Sequence, residues 1–190
     1  MSTLMYPDVN KNPDGSESDL CWAAAASNAL FYTEWAAPPL FNSAEEVFRV
    51  FVDRFTNVAR NGMSAFKFFF REILGDRNDI RDYVKIYPPS LMWRFKDIKQ
   101  NKQCGIASLW FPGFQYTHLM AFYEIYSLGK ANQFKVEDPR HYNQIKCSDS
   151  DDGIEGNFRL DIKYDINTKQ FSAYEDRAYI YYLILVNHRH

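Results

Sequence analysis

The chain has 190 residues, 46% of them hydrophobic and 17% aromatic, and a formal net charge of −2 at pH 7, which suits a single domain with a core of its own. Acidic and basic residues are interspersed, so no basic footprint marks a nucleic-acid or anionic-membrane partner. No apolar run approaches the roughly 20 residues of a membrane-spanning helix, which argues against membrane insertion.

Residues 1–20 are polar and rich in Asn, Asp, Ser and Pro, as in a surface loop, and "MSTLMYPDVNKNPDG" lacks the basic-then-apolar layout of a signal peptide. Ser18 or Asp19 can cap a helix over "CWAAAASNALFYTEW", which Pro38-Pro39 ends; Cys21 then lies in its first turn. Val47, Phe51, Phe55 and Val58 recur at helical spacing behind a Ser-Ala-Glu-Glu start, and Phe66, Phe69, Phe70 and Ile73 repeat the pattern as far as Gly75. "PPSLMWRFKDIKQN" reads as a fourth short helix opened by Ser90.

After Cys104 the texture changes. "GIASLWF", "THLMAFYEIY", "NQIKCS", "FRLDIKYDI" and "AYIYYLILV" are strand-like. Phe158, Leu160, Ile162, Tyr164 and Ile166 alternate with charged residues, so one face of that strand is wet. "AYIYYLILV" is apolar on both faces and belongs in the middle of the sheet. The expectation is one α+β domain spanning 1–190: a helical half over about 18–103, opened by a cysteine-bearing helix, packed on an antiparallel sheet half over about 104–188. That order matches the two-lobed papain-like plan.

Cys21, Cys104 and Cys147 have no paired spacing, so neither a disulfide framework nor a zinc site is expected, and no metal or organic cofactor. A thiol becomes a good nucleophile once deprotonated, and both a helix N-terminus and an adjacent imidazolium favour the thiolate. Cys21 has the first of these; the alternative is a small buried hydrophobe. His188 and His190 sit in the terminal tail and His141 at an expected hairpin tip, leaving His118 as the histidine built into a core strand. A third group should orient the imidazole, and Asp138 competes with the pair Asp149 and Asp151 for that role. Trp22 is expected beside the nucleophile, shielding it from water, with plain core filling as the alternative.

The opening "DVNKNPDGSESDLCWAAAASNALFY" resembles the active-site opening of the immunoglobulin-degrading cysteine endopeptidases of the Mac type, in which a lysine precedes the nucleophilic cysteine by ten residues. Lys11 and Cys21 keep that spacing, and His118 with "CSDSDD" matches the family's later histidine and aspartates. The resemblance implies that Cys21 is the nucleophile, His118 the base, Asp149 the orienting acid, Asp151 a supporting residue and Lys11 an oxyanion donor. It also implies a papain-like fold, a protein substrate such as host immunoglobulin, and secretion or surface display; a monomer is expected. The chain departs from the family in its shortened helical middle and in the insert "SLGKANQFKVEDPRHYN", both of which bear on substrate choice. A transglutaminase or deamidase would use the same triad, and a binding module on a peptidase scaffold would use none of it.

Overall fold

A computed structural model describes residues 6–12, 19–56, 58–88, 104–130, 140–148, 157–165, 167–168 and 170–189. Helix α1 (Cys21–Tyr32) starts at Cys21, as its sequence implies, but its N-cap is Leu20, whose side chain makes no capping hydrogen bond. It stops at Thr33, short of Trp35. Helix α2 (Ala44–Phe55) opens where Ser43 accepts a hydrogen bond from the Glu46 amide, with Glu45 and Glu46 in its positive first turn. Helix α3 (Gly62–Phe68) is capped by Asn61 and continues as a π-helical turn over Phe69–Ile73. Gly75, at φ +66°, follows that turn, a conformation open to glycine without steric cost.

Among the described residues seven strands follow: β1 (Val84–Tyr87), β2 (Cys104–Phe111), β3 (Tyr116–Lys130), β4 (Arg140–Ser148), β5 (Asn157–Asp165), β6 (Gln170–Ala173) and β7 (Ala178–Val186). Every pairing is antiparallel, in the order β1-β7-β2-β3-β4-β5-β6, and β6 pairs back onto β7 through Ser172 with Tyr179 and Ala173 with Ala178. That last contact closes β2 to β7 into a six-stranded barrel. Strand β1 adds to the other end of β7's free edge, Val84 opposite Val186.

The papain-like α+β expectation is therefore corrected. Among the described residues the fold is mostly sheet, the sheet closes on itself as a barrel, and three short helices on its outside do not form a lobe equal to it. Two features of the sequence hid this. The four-residue strands β1 and β6 are too short to carry a legible alternation. The two apolar faces of "AYIYYLILV" fit a central strand in an open sheet and a barrel strand under helices equally well, since both bury two faces. The proposed fourth helix, opened at Ser90, lies outside the described residues apart from Pro88.

Two apolar clusters follow from this geometry. Inside the barrel lie Leu109, Met120, Phe122, Ile145, Leu160, Ile162, Phe171, Ile180, Leu183 and Leu185. Ile106, Leu119, Ala121, Tyr123, Ile184 and Val186 form the outer wall on which the helices pack; a register shift in the β2–β7 pairing at Ser108/Leu109 is what lets Ile180 belong to the inner cluster and Ile184 to the outer one. The alternation expected in β5 is observed, with Leu160 and Ile162 buried and Arg159 and Asp161 exposed. Helix α1 is the central element of the outer layer, with Trp22 to Leu30 all buried. Its run of four alanines gives good helix propensity and a thin surface that lets the helix axis lie close to the wall.

Close approach is also built into the barrel. A Cβ at Gly105 would stand 1.8 Å from the Ile184 carbonyl oxygen, so β2 and β7 can lie this near only with glycine there. At Gly62 a Cβ would meet Ile106 Cδ1 at 2.7 Å and Ile184 Cδ1 at 3.1 Å, which seats the start of α3 on the wall beside the site described next.

Candidate active site

A cleft of about 800 Å³ opens between the start of α1 and the start of β3. Lys11, Cys21, Trp22 and His118 all line it. Nearly a hundred residues separate Cys21 from His118 in sequence; packing α1 across β3 brings both to one cavity. Cys21 is the first residue of α1, where unpaired backbone N–H groups and the helix dipole favour an anion. It is half-buried, whereas Cys104 and Cys147 are fully buried. Burial pushes the Cys104 thiol far above its ordinary value, and Cys147 Sγ donates weakly to the Phe158 carbonyl at 3.7 Å. Cys21 is thus the one thiol of the three that solvent and solutes can reach.

His118 lies two residues into β3, paired with Leu109 of β2, and is 5% exposed. It shares the strand parity of Met120 and Phe122, which fill the barrel, yet sits close enough to the β2–β3 turn to line the cleft. His188 and His141 are placed elsewhere, and His190 lies outside the described residues. His188 packs edge-on against Tyr32, the last residue of α1, eleven residues or about 16 Å along the helix from Cys21. His141 pairs with Lys130, twelve strand residues from His118 and so roughly 40 Å along β3.

A buried polar network carries Lys11 into place. The Asn28 side chain on α1 accepts from the Val9 amide at 3.1 Å and donates to Ser148 Oγ at 3.1 Å. Tyr123 on β3 donates its hydroxyl proton to the Pro7 carbonyl and accepts from Ser148 Oγ at 3.0 Å. Tyr6 donates to Glu124 and stacks on Tyr32 with ring centroids 5.4 Å apart. Each polar group of this set finds a partner, which is what makes a buried network rigid. Residues 6–9 are thereby strapped across α1 and β3, and Lys11 follows two residues later.

The same network holds the end of β4. Ser148 pairs with Ala121, three residues from His118 on the neighbouring strand. Asp149, the next residue in sequence, lies outside the described residues, as do Asp151 and Asp138.

Trp22 is wholly buried and also lines the cleft beside Cys21, so core packing and a place next to the thiol coexist in one side chain. Its ring lies 5.5 Å from Phe55 in an edge-on contact, and its indole N–H donates to the Val58 carbonyl at 3.0 Å. That bond ties the segment before α3 to helix α1, and the segment supplies Arg60 and Asn61 to the cleft wall. Reasoning from sequence missed those two, along with Asn12, Tyr116, Thr117 and Tyr182. Tyr116 and Thr117 were discoverable as neighbours of His118; Arg60, Asn61 and Tyr182 come from distant segments with no signal linking them to Cys21. Charge at the rim is mixed, Lys11 and Arg60 against Asp19.

No protein-family model matches the chain, and no curated protein is significantly similar to it.

Proposed function

We propose that the protein is a cysteine endopeptidase acting on polypeptide substrates. The observation that carries this reading is the convergence of Cys21, at a helix N-terminus, with His118 and Lys11 on one cleft large enough for a peptide segment. In this reading the Cys21 thiolate attacks the scissile carbonyl and His118 protonates the departing amine, leaving a thioester on Cys21. Water, deprotonated by His118, then attacks the thioester and releases the acid. Lys11 and the Cys21 backbone N–H are assigned to the oxyanion, and Asp149 to the orientation of His118.

Alkylation tests this directly. Iodoacetamide at neutral pH should label the native protein once, at Cys21, and labelling should slow sharply in His118→Ala, because the imidazolium that holds the thiolate is gone. Cys21→Ala should abolish peptide cleavage while leaving the thermal midpoint close to wild type. A Cys21 that alkylates no faster than a free thiol, together with no cleavage of unfolded protein, would leave a binding module as the answer. Ammonia release or amine incorporation without cleavage would mean a transamidase. Immunoglobulin, the substrate implied by the resemblance of the opening segment, is the first folded protein to offer in the cleavage assay.

A further inference from the structure

The turn between β2 and β3 carries an exposed ladder of aromatic rings. Phe114 is 76% exposed and Tyr116 46% exposed, an unfavourable way to present large apolar surface to water unless something covers it. The tip is held in shape. The Phe114 amide donates to the Phe111 carbonyl at 3.1 Å, and Gln115 takes a positive φ of 55°. Phe111 stacks on Tyr116 with planes 3° apart at 5.0 Å, Tyr174 supports Phe111 from behind at 5.6 Å, and Phe114 flanks Tyr116 at 6.2 Å. Tyr116 belongs both to this ladder and to the cleft that holds Cys21 and His118.

We propose that this aromatic tip is the specificity subsite of the cleft, taking a bulky apolar or aromatic side chain of an extended polypeptide substrate; the assignment rests on the peptidase reading. Continuity with the cleft selects that occupant, because whatever covers Tyr116 lies about 7 Å along β3 from His118, and the Phe114 ring stands 6.2 Å from the Tyr116 ring. An extended chain rises by about the same amount per residue, so the anchoring side chain falls about two to four residues from the bond attacked. The platform is pre-formed, so little ordering offsets the burial gained.

The test uses the full chain carrying Cys21→Ala and a set of fluorescein-labelled decapeptides in which one Phe is stepped through an Ala/Ser background. One Phe position should tighten binding about tenfold over the background peptide, as burial of an aromatic ring on a fixed platform gives. Adding Phe114→Ser should remove that preference without changing the circular dichroism spectrum. Equal binding of all peptides, or a preference that survives Phe114→Ser, would overturn the proposal. So would a concentration-dependent dimer dispersed by Phe114→Ser, since a second copy would then be what covers the tip. Failure of the peptidase reading is separate: the preferred peptide would bind selectively to the Cys21→Ala chain yet remain uncut by the wild-type chain.

Discussion

Lys11 is the residue at which local chemistry and global placement meet. A loop lysine is ordinarily a solvated charge, but the strap through Val9, Asn28 and Ser148 brings this one to the cleft of Cys21. In the proposed role of oxyanion donor it would act on the transition state, so Lys11→Ala should lower kcat by about 10² to 10³ with little change in KM. Alkylation of Cys21 forms no oxyanion and should persist in that variant. Steady-state kinetics beside a labelling time course separates this role from one in making the thiol reactive, which would slow both. The aspartates offer a second comparison at the same scale. Ser148 sits opposite Ala121 near His118, and Asp149 follows it, whereas Arg140 begins β4 at the far end of the ladder, two residues after Asp138. Asp149→Ala should therefore cut kcat by several orders of magnitude and Asp138→Ala by far less; the reverse order in a turnover assay would reject Asp149.

Among the elements, α1 does two jobs: it fills the space between the barrel wall and the other helices, and it presents Cys21 at its start. Trp22 links those jobs by donating to Val58. Trp22→Phe keeps most of the packing and loses the hydrogen bond, so it should cost about 1 kcal/mol, or about 2–4 °C in Tm. It should also raise KM, because the wall bearing Arg60 and Asn61 is no longer tied to α1. Differential scanning calorimetry and steady-state kinetics on one preparation read both effects. Gly105 tests the barrel in the same way. With the Ile184 carbonyl 1.8 Å from where a Cβ would stand, Gly105→Ala must part β2 from β7. A loss of at least about 3 kcal/mol in urea denaturation is expected, beyond the usual cost of overpacking because the obstacle is backbone.

For the molecule as a whole, the contact between barrel, N-terminal strap and α1 is made largely by tyrosines, and this sets its pH limits. Burial pushes Tyr32 up to about 12, with Cys104 and Glu124 adding to the shift. Burial likewise raises Tyr123 well above its ordinary value, and burial together with Glu124 raises Tyr6. Each holds its proton more tightly folded than unfolded, where tyrosine titrates near 10. Their contribution to stability is therefore complete below pH 10 and falls as pH rises through 12. Tm should be level between pH 8 and about 9.5 and then drop steeply, with the phenolate absorbance of these rings appearing together with unfolding rather than before it. Phenolate absorbance that develops fully in the folded protein near pH 10 would show that these tyrosines are not buried together.

What sequence alone determined is local. The spacing of Val47 and Phe51, the cap at Ser43, the stop at Gly75 and the alternation from Phe158 to Tyr164 each reflect contacts within a few residues, and the elements they specify are present with ends shifted by a few positions. That Cys21 and His118 line one cleft was legible for a related reason: one thiol at a helix start and one histidine within a core strand leave few combinations to weigh. Closure of the sheet was not legible, because it depends on which edge the four residues of β6 meet, and backbone pairing leaves no mark on side-chain pattern. Nor were the strap that carries Lys11, the tie from Trp22 to Val58, or the cleft wall at Arg60 and Asn61. Those are contacts between segments far apart in the chain, and they exist only once the helices lie against the barrel wall.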